Sequence, residues 1–232
     1  LLKELKLLSQ AFAKIASDFR NIKKPGRTHL QDALPVTLGH EFSAYAKALE
    51  KDLNRISQTS ESLKIIGIGG TAIGSGANAH PKYQKLMVVE LSRLTKIKLH
   101  SAKNLFESMQ NTADYLDFSS SLRTLSQNLI MICNDLRLLS SGPKTGFAEI
   151  KLPEVQAGSS IMPGKVNPSI PEMVTMVCFQ VIGLDQAILL ASQAGQLELN
   201  IMLPLIAYNL IQQQKLLTNA IKVLHEKCIS GI

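Results

Sequence analysis

Residues 173–192 carry apolar side chains almost all the way round a helical wheel, interrupted by Gln180, Asp185 and Gln186. A helix with a single apolar stripe can lie on the surface of a fold, but one apolar on every side must be enclosed. Asp185 falls at mid-span, where a charge is expensive in a bilayer, so the enclosure is read as protein and no membrane contact is expected. The rest of the chain supplies the enclosing helices. Leu1, Leu5, Leu8, Phe12, Ile15 and Phe19 recur at three- and four-residue steps, and this is the helical period.

The same step returns at Leu38, Phe42, Tyr45, Leu49, Leu53 and Ile56, and again at Ile206, Leu210, Leu217, Ile221, Leu224 and Cys228. Further helices are expected over about 81–95, 104–140 and 168–194. Pro25–Gly26, the glycine-rich run 67–76, Ser141-Gly142-Pro143 and Gly195 punctuate them. No stretch alternates with period two, so no significant sheet is expected. Aromatics are 5% with no Trp, which predicts an aliphatic core. The fold class is therefore all-α, an elongated antiparallel helix bundle spanning residues 1–232 as a single domain.

Charge and cysteine usage narrow the partners. The formal charge is +7, with Lys3, Lys6, Lys14, Arg20, Lys23, Lys24 and Arg27 near the first helix. No aromatic residues alternate with these cations, so a small anionic metabolite is a better partner than nucleic acid. Cys133, Cys178 and Cys228 are widely spaced in apolar surroundings. Their odd number and lack of C-x-x-C spacing predict reduced, buried thiols in a cytoplasmic protein and no metal site.

Three segments carry chemistry. Residues 157–168 read A-G-S-S-I-M-P-G-K-V-N-P, placing two hydroxyls, Lys165 and Asn167 in a loop bracketed by Gly158 and Gly164. Such a loop could close over a small anion, with the glycines as hinges. Residues 26–35 read G-R-T-H-L-Q-D-A-L-P, a polar loop with Thr28 and His29 at its centre. Residues 69–78 read G-G-T-A-I-G-S-G-A-N. With no strand before this segment and no lysine at the required place after it, a nucleotide-phosphate role is improbable. His40, His80, His100 and His225 match no functional motif and read as surface residues.

All three segments resemble blocks of the aspartase/fumarase superfamily. Its signature loop reads G-S-S-x-M-P-x-K-x-N-P, and the resemblance extends over essentially the whole chain. Residues 110–115, 132–143 and 194–200 are closer to the aspartase branch than to the fumarase branch. Leu184 and Leu203 depart from the pattern, where Asn and Glu are usual, as do Gly67 and Ser75; none is a residue assigned to chemistry.

The resemblance implies reversible deamination of L-aspartate to fumarate and ammonia through an aci-carboxylate, without a cofactor. It implies Ser159 as the base, Ser160 as donor to the aci-carboxylate, and Thr28, Lys165 and Asn167 as ligands of the other carboxylate. His29, paired with Glu172, would lie near the leaving ammonia. The alternatives are a fumarase interconverting fumarate and L-malate, or a non-catalytic oligomerisation core. The resemblance further implies a homotetramer whose sites combine segments of three subunits. The chain opens in helical register without Met, as an excised central domain would, without the family's N- and C-terminal domains. On that expectation the piece alone is inactive.

Overall fold

Long runs of good helix formers with one or two apolar faces leave little for a sheet to build on, and the structure follows that logic. The computed structural model describes every residue except Ser160 and Pro163. Among the described residues the helices are α1 (Leu2–Asp18), α2 (Leu38–Ser62), α3 (Tyr83–Thr95), α4 (Leu105–Gln110), α5 (Ala113–Leu139), α6 (Ser169–Ser192) and α7 (Leu203–Lys227). The strands are β1 (Lys23–Thr28), β2 (Gln31–Thr37), β3 (Ile65–Ile66) and β4 (His100–Ser101). The fold is an all-α bundle with minor strands.

Two local expectations are corrected. The polar stretch 26–35 is not a loop but most of an antiparallel hairpin, in which Lys23 pairs with Thr37 and Thr28 with Gln31. Pro25 and Pro35 face each other in this ladder, and the register is irregular between Pro25 and Arg27. No residue of it is fully buried and the side chains it shelters include the cations Lys24 and Arg27, so no buried apolar face writes an alternating pattern into the sequence. The expected helix over 104–140 is two helices. Asn104 Oδ1 caps α4 by accepting from the Phe106 and Glu107 N–H groups, and Asn111 Oδ1 accepts from the Ala113 N–H at 2.9 Å. Asn side chains compete with the helical backbone in this way; here Asn104 starts α4 and Asn111 bonds at the break before α5.

The chain divides into two compact units, one of Leu1–Asn54, Thr124–Val181 and Gln214–Ile232, the other of Arg55–Arg123 and Ile182–Gln213. The division falls within α2, α5, α6 and α7, each of which contributes a segment to both. In the first unit Leu5, Leu8, Leu129, Ile132, Leu136, Val174, Leu217 and Leu224 are fully buried, each stabilising by about 1.5–3 kcal/mol relative to exposure. The core is not purely aliphatic. Phe12 lies 6.0 Å from Phe42 and 5.8 Å from Tyr45, and Phe19 meets Phe42 edge-on at 5.8 Å. Composition counts aromatic rings but cannot show that four of them share one place. The buried Asp52 carboxylate accepts from Asn128 Nδ2 at 2.7 Å.

In the second unit β3 and β4 pair in parallel. The Asn200 amide donates to the Ala191 and Ser192 carbonyls and accepts from the Met202 N–H, tying the end of α6 to the start of α7. Asp185, the mid-span charge of α6, is 1% exposed. It accepts from Ser119 Oγ at 2.6 Å and lies 3.3 Å from Arg123 Nε, so its burial is compensated. By length and composition α6 could cross a membrane, yet Val174, Cys178, Val181 and Ile188 on it are buried against protein. Met176, Phe179 and Leu190 on the same helix remain exposed.

Candidate active site

The candidate residues lie on two pieces of the first unit, the β1–β2 hairpin and the segment leading from α5 through the signature loop into α6. Thr28 ends β1, and His29 and Leu30 form the two-residue turn, with φ of 54° and 59°. Two consecutive positive φ values give the turn that matches strand twist, a place where Asn and Gly are usual. A leucine there is a backbone outlier, and such outliers gather at functional sites. Thr28, His29 and Leu30 are all exposed, so the turn presents them outward from the strands.

A charged cluster holds β1 of this hairpin from Lys24 to Arg27. Glu149 Oε1 receives Arg27 Nη1 at 2.7 Å, while Lys24 Nζ lies against Glu149 Oε2 and sits 2.7 Å from Glu41 Oε1. The Arg27 guanidinium stacks over the Phe147 ring at 4.2 Å. The side chains of Lys24, Glu149 and Arg27 are only 6%, 16% and 19% exposed, so these are sheltered pairs rather than surface ones. Burial alone would push the Glu149 carboxyl up, but hydrogen bonds and charge from Lys24 and Arg27 outweigh it and hold it below the ordinary carboxylate range.

The signature loop follows from the same segment. Its ends approach closely: a Cβ on Gly158 would stand 2.9 Å from the Lys165 carbonyl oxygen, so only glycine fits. Gly164 has a φ of 79°. Ser159 is half-buried, its Oγ accepting from the Ile161 N–H at 3.3 Å. Lys165 is exposed and Asn167 half-buried. Ser160, the expected donor to the aci-carboxylate, lies outside the described residues. Gly164 and Val166 face Gly142, Pro143, Glu149 and Lys151 across a groove of about 580 Å³.

The chain places Ser159, Lys165 and Asn167 on one loop and Thr28 beside His29 on one turn. No hydrogen bond or ion pair joins His29 to Glu172 among the described residues. Glu172, in the first turn of α6, instead lies 3.6 Å from Arg137 Nη2. Both side chains are more than two-fifths exposed, so this contact is weak. Sequence reasoning missed Glu149, Lys24 and Phe147, because a single carboxylate in T-G-F-A-E-I-K shows no spacing that announces a partner far away in sequence.

Among the described residues no group of three or more His, Cys, Asp or Glu could hold a metal. The cysteines are free and buried, and burial pushes the Cys178 and Cys228 thiols up to about 12. A groove of about 680 Å³ in the second unit, lined by Asn104, Glu107, Gln110 and Glu198 among others, contains none of the candidate residues.

A family model described as a lyase matches residues 1–183. The chain belongs to this lyase family. Over its whole length the chain is 46% identical to an aspartate ammonia-lyase of Bacillus subtilis and 51% identical to one of Pseudomonas aeruginosa. Among solved lyases, a fumarate lyase:delta crystallin from Brucella melitensis bound to cobalt superposes with a TM-score of 0.97 at 46% identity, over 99% of this chain and 50% of that one. A class II fumarase from Schistosoma mansoni gives 0.95 at 35% identity, over 99% of this chain and 51% of that one. The chain spans about half the length of the curated lyases it matches, 49% of each of the two named.

Proposed function

We propose that the whole protein is an aspartate ammonia-lyase, releasing fumarate and ammonia reversibly from L-aspartate. The observation that carries this is identity of 46–51% with aspartate ammonia-lyases over the entire chain. Structural superposition on the class II fumarase gives 35% identity, which favours ammonia over water as the leaving group.

The proton on Cβ of aspartate is barely acidic, so it can leave only if the electron pair it releases moves onto the adjacent carboxylate as an aci-carboxylate. Ser159, as an alkoxide, takes that proton. Collapse of the aci-carboxylate forms the C=C bond and breaks the C–N bond, whose electron pair leaves with ammonia. Ser159 then returns its proton to solvent, so that fumarate and ammonium are the products. A serine alkoxide needs a cationic, closed surrounding, which Lys165 and the closing loop would supply. Ser160 donates to the aci-carboxylate, while Thr28, Lys165 and Asn167 hold the other carboxylate. His29 sits near the departing ammonia, steadied by Glu172. No step calls for a cofactor.

The working form is a homotetramer in the cytoplasm. Support comes from the exposed apolar side chains Met176, Phe179 and Leu190 of α6 and Leu205, Tyr208 and Ile211 of α7, which second copies would cover. That His29 and Glu172 do not meet within one chain fits a site completed by other subunits. Absorbance at 240 nm with the whole protein tests the reaction. Turnover of L-aspartate is expected, Ser159→Ala should lower it by at least 10³-fold, and turnover of L-malate alone would replace this reading with fumarase.

A further inference from the structure

We infer that Glu149 is a positioning residue for the substrate-binding turn, a role that rests on the proposed lyase reaction. Its carboxylate grips both cations of β1, Arg27 through Oε1 at 2.7 Å and Lys24 through Oε2. Arg27 immediately precedes Thr28 and His29, so the grip ends one residue short of the proposed ligands. Glu149 is itself anchored, its N–H donating to the Leu139 carbonyl at 2.9 Å. The turn it steadies needs steadying, because His29 and Leu30 hold left-handed backbone angles without glycine and without burial. A two-stranded hairpin without a buried apolar face has little stability of its own.

Other contacts cannot replace this grip. Asp32 stands 3.7 Å from Arg27 but is 80% exposed, and Glu41 holds only Lys24. Phe147 offers Arg27 a ring face, which restrains the plane of the guanidinium but not its position along the strand. Glu149 also lines the groove facing Gly164 and Val166. The same residue therefore borders the loop carrying Ser159 and fixes the strand carrying Thr28.

The test compares Glu149→Gln and Glu149→Asp with the parent in the whole protein. Kinetics are read with L-aspartate, and hydrogen exchange is read over residues 23–37. Glu149→Gln should lower kcat/KM by about 10- to 100-fold, as misplacement of substrate ligands does, with a raised KM. The hairpin amides should exchange faster while those of α2 and α5 are unchanged. Glu149→Asp keeps the charge and should recover at least part of the loss. Simple destabilisation would shrink the active fraction, lowering kcat at constant KM; that pattern, or hairpin exchange unchanged in Glu149→Gln, overturns the role. If the parent itself fails to turn over L-aspartate, the proposed reaction falls, and hairpin exchange alone decides whether Glu149 holds the turn.

Discussion

Acid should loosen the hairpin through one identifiable carboxylate. At 2.7 Å, an Arg27–Glu149 pair in an effective dielectric near 20 gains about 6 kcal/mol of Coulomb energy before desolvation. Desolvating two mostly buried ions removes much of that, and Glu149→Gln still leaves an amide oxygen to accept from Arg27. A net loss of about 2 kcal/mol in hairpin opening at pH 7 is therefore expected. Glu149 is held below its ordinary range in the folded state, so it binds fewer protons folded than open. Its contribution is fully present above the open-state pKa of about 4.3 and is lost as pH falls through the depressed folded value. Native-state hydrogen exchange over residues 23–37, corrected for intrinsic rates and run from pH 7 to pH 3.5, measures the gap between parent and variant. Other acids titrate in both proteins and cancel in that difference. The gap should stay constant to about pH 4.5 and then close. A gap that is absent at pH 7, or that persists unchanged at pH 3.5, would refute the reasoning.

Three further outcomes are expected. Gly158→Ala and Gly164→Ala should both reduce turnover, the first because its Cβ would stand 2.9 Å from the Lys165 carbonyl oxygen, the second because alanine is strained at a φ of 79°; steady-state rates check both, and a parent-like rate in either variant contradicts its half of the argument. Asp185→Ala should lower stability by about 2 kcal/mol, read as a shift of the urea midpoint; Arg123, 44% exposed, hydrates and adds little. Cys178 and Cys228, pushed up to about 12, should alkylate about 10³-fold more slowly at neutral pH than free cysteine. Mass spectrometry after iodoacetamide would detect a fast native thiol, the contrary result.

The legibility of this chain followed its burial. Where one side of an element faces a core, as in Leu5, Leu8, Phe12 and Ile15 of α1, the period appears in the residues and the helix is predictable. The β1–β2 hairpin shelters the cations Lys24 and Arg27 rather than an apolar face, so its ladder was invisible. At the break between α4 and α5 Asn111 bonds to the Ala113 N–H, a local choice that apolar spacing does not record. For the candidate site, Ser159, Lys165 and Asn167 were legible because they are close in sequence on one loop. Glu149 was not, because its importance lies in meeting Lys24 and Arg27 across the fold.

By itself, the sequence determined the all-α class, the positions of most helices and the chemical inventory of the signature loop, since periodicity, glycines and loop residues are local properties. Tertiary structure alone decided that Thr28 and His29 sit on a strained turn, that Glu149 clamps the strand beneath them, and that Glu172 lies near Arg137 rather than His29. Those facts depend on which distant segments approach to within a few ångströms. Ion pairing and backbone strain act over that distance, and spacing along the chain carries no measure of it.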